Sequence, residues 1–126
     1  MVVLDASAVL AAILGEAGHE KLTPELLNSA ICSTVNLAEV QAKLISSGLP
    51  PDDAIQTALI PVREAVDFTA AQAGVSSSLI PHTRSLGLSL GDRACLALGI
   101  SLGVPVYSAD RAWKNLKLPV RIHVIR

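Results

Sequence analysis

Four acidic side chains stand out by the company they keep. Asp5 ends the apolar run Val2-Val3-Leu4, and Glu39 sits inside Leu37-Ala38-Glu39-Val40. Asp92 opens a stretch rich in alanine and leucine, and Asp110 follows Val106-Tyr107-Ser108-Ala109. A carboxylate among residues that seek the core needs a partner, because an unpaired charge leaves water only at high cost. The neighbouring sequence offers Asp5 and Glu39 little cationic help, and a divalent ion resolves the conflict. Carboxylates unaccompanied by His or Cys suit Mg²⁺ or Mn²⁺ rather than zinc. Acids that hold one or two such ions can activate a water and offset the charge that builds in an in-line phosphodiester displacement. Taken singly, the acids have plainer uses: Asp5 and Asp92 as helix caps, Asp110 as a turn residue. Glu39 has the weakest plain explanation.

The elements that must position these acids alternate in type. Val2-Val3-Leu4 reads as a buried strand, and Ser7 to Leu14 as a helix stopped by Gly15. Thr23-Pro24 is a cap and first position for a short helix ending near Asn28. Ala30-Ile31-Cys32 is a second strand. Ser33 or Thr34 caps the next helix, whose apolar positions Val35, Ala38, Ala42 and Ile45 recur at helical spacing before Gly48. Pro50-Pro51-Asp52-Asp53 opens a helix that Pro61 closes. Val66-Asp67-Phe68 is the expected third strand, and Thr69 begins a long helix to about Ser85. Ser89-x-x-Asp92 is a variant capping box for a helix running to Gly103. Val104 to Tyr107 forms a fourth strand, Ala109 to Asn115 a helical turn, and Arg121 to Ile125 a last strand. This alternation predicts an α/β fold: one domain over residues 1–126, with a mostly parallel sheet between helix layers. In such sheets a ligand crevice lies beyond the carboxyl ends of the strands, where Asp5 and Asp110 fall.

With 51% hydrophobic and 17% charged residues, the chain of 126 residues is too apolar to be a disordered segment. No apolar run is long enough to span a bilayer, and the N-terminus meets Asp5 with no basic lead, so a cytoplasmic, non-membrane protein is expected. Cys32 and Cys95 have no metal-site spacing and read as core residues. His19, His82 and His123 lie apart from the acids and read as surface or structural residues. Neither G-x-G-x-x-G nor a P-loop occurs, which disfavours nucleotide binding of either kind. Net charge is −1, but residues 1–83 carry net −6 and residues 84–126 net +5, so the C-terminal third can attract phosphate. With only Phe68, Tyr107 and Trp113 as aromatics, an extended base-stacking platform is not expected. A mean hydropathy of +0.51 leaves apolar surface for a homodimer or a partner, with the helices flanking Gly48 and Pro50-Pro51 as candidates.

The blocks Val3-Leu4-Asp5-Ala6-Ser7-Ala8, Asn36-Leu37-Ala38-Glu39-Val40, Leu90-Gly91-Asp92-Arg93-Ala94-Cys95-Leu96-Ala97 and Val106-Tyr107-Ser108-Ala109-Asp110-Arg111-Ala112-Trp113 resemble the four acidic blocks of PIN-domain nucleases. In length and order they look most like the VapC-type toxin ribonucleases of toxin–antitoxin pairs. The resemblance implies a three-layer α/β/α PIN-like fold and a Mg²⁺- or Mn²⁺-dependent endoribonuclease. It makes Asp5, Glu39, Asp92 and Asp110 catalytic, with Asp5 and Asp92 as direct metal ligands. Glu39 and Asp110 would act through water or at a second ion, and Ser7 and Ser108 would support the pocket. It also implies an RNA substrate, a homodimer and a small antitoxin whose C-terminal segment covers the pocket. Arg111 and Lys114, just after Asp110, are then candidates for RNA phosphate. The alternatives are a housekeeping RNA-processing nuclease of the same fold and a non-catalytic PIN-like binding module.

Overall fold

A computed structural model describes residues 1–126. Its elements in chain order are β1 (Val2–Leu4), α1 (Ala6–Leu14), α2 (Pro24–Leu27), β2 (Ala30–Ser33), α3 (Thr34–Ser46), α4 (Pro51–Leu59), β3 (Glu64–Val66), α5 (Ala70–Ser78), α6 (Ile80–Thr83), α7 (Leu90–Leu102), β4 (Val106–Ser108) and β5 (Ile122–Val124), with 3-10 turns at His19–Lys21, Arg84–Leu86 and Arg111–Asn115. The strands form one sheet in the order β3-β2-β1-β4-β5, and every adjacent pair is parallel. No helix is long and apolar enough to cross a membrane.

Strand alternation sorts the core into two layers. Leu4, Ala30, Cys32 and Tyr107 point to the side where α1, α3 and α4 bury Ala8, Ala11, Val40, Leu44, Ala54 and Ala58. Val3, Ile31 and Val106 point to the opposite side, against Cys95, Leu96 and Leu98 of α7 and the buried Trp113. The sandwich of helix, sheet and helix is the expected three-layer architecture. Because β1 lies between β2 and β4, the chain leaves it in one direction to build β2–β3 and returns on its other flank to build β4–β5. The crevice beyond its carboxyl end therefore collects residues distant in sequence.

Three expectations are corrected. The third strand covers Glu64–Val66 rather than 66–68: Ile31, Cys32 and Ser33 pair with Glu64, Ala65 and Val66. By Phe68 the chain has left the sheet, and its N–H donates to Thr34 Oγ1 at 3.1 Å. The long helix from Thr69 stops at Ser78 and resumes as a short segment before the 3-10 turn Arg84–Leu86. Pro81 explains the break, since its ring lacks an N–H and crowds the carbonyl of the turn before it. On α3 the buried row is Asn36, Val40 and Leu44, while Ala38, Ala42 and Ile45 are exposed. Both rows have helical period, and the sequence pattern alone favoured the wrong one because a buried Asn interrupts the right one.

Candidate functional site

Asp5, Ala6, Ser7, Leu10, Glu39, Lys43, Asp92 and Asp110 line one pocket of about 280 Å³ at the carboxyl edge of the sheet. All four predicted acids meet there, from β1, α3, α7 and the turn after β4. Local sequence chemistry aims three of them. Asp5 is the N-cap of α1, and its Oδ1 accepts from Ala8 N at 2.8 Å. Asp92 completes the capping box of α7: Ser89 Oγ accepts from Asp92 N, and Asp92 Oδ2 accepts from Ser89 N at 2.9 Å. Asp110 caps the turn Arg111–Asn115, its Oδ1 accepting from Ala112 N at 2.9 Å. Capping and pocket formation are thus two uses of the same carboxylates, one oxygen serving each helix end in Asp92 and Asp110.

Asp5 is the only buried member. Ser7 Oγ donates to its Oδ1 and Ser108 Oγ to its Oδ2, each at 2.7 Å. Those hydroxyls are themselves held: Ala109 N donates to Ser7 Oγ at 2.9 Å, and Asp110 N donates to Ser108 Oγ at 3.0 Å. The two serines therefore tie the end of β1 to the end of β4. Burial pushes the Asp5 carboxyl up to about 6, against the opposing donors Ser108, Ser7 and Ala8 and with a further push from the Asp92 charge. Beneath the pocket, burial and then the charges of Asp5 and Asp92 hold the Cys95 thiol well above its ordinary range. Burial also raises the Cys32 thiol, to about 11. Both cysteines are free, buried and neutral, as expected of core residues.

Glu39 corrects the reasoning that selected it. Its side chain is exposed at the pocket wall rather than immersed among apolar residues, because α3 turns Ala38 and Glu39 outward. What holds it is Asn36, whose Nδ2 donates to Glu39 Oε1 at 2.9 Å. Lys43 is a pocket residue that sequence reasoning passed over; its spacing of four from Glu39, one helical turn on the same face, was the available signal. Arg111 and Lys114 are exposed and do not line the acid pocket. Lys114 instead borders a larger groove of about 540 Å³, with Lys21, Tyr107, Trp113 and His123 among its walls. His123, in β5, stacks on its cross-strand neighbour Tyr107 with ring centroids 4.6 Å apart, a structural role as expected.

A parallel sheet between helix layers, with four carboxylates gathered beyond the end of its central strand, defines an α/β/α protein built around an acidic pocket. The profile of the PIN domain family matches residues 2–118, and the chain belongs to that family. Among solved structures it is similar to VapBC2 from Rickettsia felis, bound to a DNA fragment from its promoter (16% identity, all of both chains covered, TM-score 0.77). It is similar also to DNA-bound VapBC from Salmonella typhimurium (14%, 99% of this chain and 98% of that one, TM-score 0.75). A third is Mycobacterium tuberculosis VapC20, a toxin that cleaves the sarcin-ricin loop (20%, 96% and 99% covered, TM-score 0.71). Among curated proteins none matches the sequence at significance.

Proposed function

We propose that the protein is a divalent-metal-dependent endoribonuclease acting as the toxin of a toxin–antitoxin pair, with residues 1–126 as its catalytic unit. The observation that carries this is the convergence of Asp5, Glu39, Asp92 and Asp110, from four separate blocks, on one pocket of about 280 Å³. The donor set is all oxygen, as Mg²⁺ or Mn²⁺ requires. Asp92, Asp110 and Glu39 each commit one oxygen to an internal hydrogen bond, which aims the side chain while leaving its other oxygen open. No three of the acids stand at ligand spacing already, so the fit is one of donor type and placement. Asp5 and Asp92 would hold the ion directly, with Glu39 and Asp110 completing the shell through water or at a second ion. A bound divalent ion supplies water activation and neutralises charge on the phosphodiester undergoing displacement.

The chain's own residues account for the rest. Ser7 and Ser108 keep the Asp5 carboxylate oriented and ionised for an ion to use. Lys43 faces the pocket as a cation for a nonbridging phosphate oxygen. Arg111 and Lys114, which follow Asp110 at the carboxyl end of β4, draw the RNA backbone toward the same edge of the sheet. The exposed apolar residues Ile45 on α3, Ile55 and Leu59 on α4, and Ile60 beside them support protein partners, an antitoxin segment and a second copy of the chain. The protein would act in the cytoplasm, where its RNA is found. The deciding experiment is cleavage of labelled RNA by protein purified free of any partner. Activity with Mn²⁺ or Mg²⁺ that EDTA abolishes and that Asp92→Asn lacks is the expected result. Cleavage that survives both treatments refutes the assignment.

A further inference from the structure

Asn36 lies behind the acid pocket in the first turn of α3, only 1% exposed. Its Nδ2 donates to Glu39 Oε1 and to the Gly91 carbonyl, both at 2.9 Å. Two acceptors at one nitrogen fix the orientation of the amide, since the carbonyl oxygen could satisfy neither. Its Oδ1 is then left buried with no hydrogen-bond partner. The amide is thus committed through its nitrogen to one acceptor on α3 and one on α7. Gly91 supplies an independent observation: a Cβ on it would fall inside the Glu39 carboxylate. The carboxylate thus rests on the bare Cα of Gly91, the residue just before Asp92.

We infer that Asn36 and Gly91 together are a positioning device that sets the distance between Glu39 and Asp92, and so the metal affinity of the pocket. The inference rests on the metal-nuclease proposal. Asn36 clips the Glu39 carboxylate of α3 to the first turn of α7, while Gly91 leaves the room for that carboxylate to lie there. Only a primary amide donates twice from one nitrogen at this length without bringing a charge, which is why the position is Asn and not Ser, Asp or Leu. Asn36 touches neither ion nor substrate; it acts through Glu39.

Equilibrium binding of Mn²⁺, followed as free ion by electron paramagnetic resonance, tests this without any turnover. Asn36→Leu is expected to weaken Mn²⁺ binding about ten- to a hundredfold, the usual effect of removing a group that orients a ligand. Its circular dichroism in EDTA should be that of the folded parent, so that the affinity is read on a folded variant. In a Glu39→Ala background the same change should weaken binding no further, because the group it positions has gone. Gly91→Ala should weaken binding in the parent and likewise do nothing once Glu39 is Ala, and it carries the test should Asn36→Leu fail to fold. Parent-like affinity in the folded single variants, or losses that add in the double variants, overturns the inference and leaves the metal proposal standing. Failure of the parent protein to bind Mn²⁺ overturns both.

Discussion

Asp5→Asn separates an acidic pocket from a helix cap through the pH dependence of stability. The folded carboxyl ionises at about 6 because burial disfavours its charge. An unfolded chain ionises it at about 3.9, so the difference corresponds to about 3 kcal/mol. The sign follows from proton binding. Between these values the folded state holds a proton that the unfolded state has lost, so stability falls as pH rises through 6 and is fully restored below 4. Above pH 7 the metal-free protein therefore carries the whole penalty. Asparagine removes the charge and keeps an oxygen for Ala8 N, but it turns an NH₂ toward Ser108 Oγ, which loses its acceptor at a cost of about 1 kcal/mol. The net expectation is a variant about 1–2 kcal/mol more stable than the parent at pH 8 in EDTA, and equal or slightly weaker at pH 4.5. Urea titrations at both pH values, read by circular dichroism, measure this difference. Saturating Mn²⁺ should reverse the order, adding about 2.7 kcal/mol to the parent at 100 times its dissociation constant and nothing to the variant. A difference of the same size at both pH values, or a variant less stable at pH 8, refutes the electrostatic argument.

Three further outcomes follow from the same geometry. Asp92→Asn keeps a side-chain oxygen for Ser89 N, so its melting transition should stay within about 1 kcal/mol of the parent while RNA cleavage falls by orders of magnitude in a gel assay. Ser108→Ala withdraws the donor to Asp5 Oδ2 and leaves Asp110 N without its acceptor. It should lose about 1–3 kcal/mol in urea unfolding, more at pH 8 than at pH 4.5, because the lost bond favours the ionised carboxylate. The partner-free protein should be a dimer by light scattering at micromolar concentration, and a monomer there would remove the second copy from the apolar face of α3 and α4.

The acids were legible in the sequence for unequal reasons. Asp5 and Asp92 announce themselves locally, since a strand end followed by alanines and a Ser-x-x-Asp box each place a carboxylate at a helix start. Glu39 stands out in the sequence for a reason the fold does not bear out: Val40 beside it is buried and Leu37 packs on the core, but Glu39 itself turns outward with Ala38. The real constraint on it is Asn36 and Gly91, residues separated by 55 positions and joined only by packing of α3 on α7. A buried Asn in an apolar helix looks like an error of pattern until its acceptors are in place, which is why both the clip and the buried row of α3 escaped. Lys43 is legible only through its helical register with Glu39, since a lysine on an exposed helix face is otherwise an ordinary solvated residue. The end of β3 and the break before α6 depended on pairing with β2 and on one proline, details that hydrophobic period does not resolve.

The common direction of the five strands has a practical consequence for handling the protein. Met1 precedes β1 and so stands at the amino edge of the sheet, opposite the pocket. Arg126 follows β5 at the carboxyl edge, where its Nε donates to Ala109 O at 3.2 Å beside Asp110. A surface tether, fluorophore or purification tag joined at Met1 leaves the approach to the acids open. The same group joined after Arg126 emerges next to them, where a histidine tag would bring its own metal ligands to the mouth of the pocket and distort every titration of the ion.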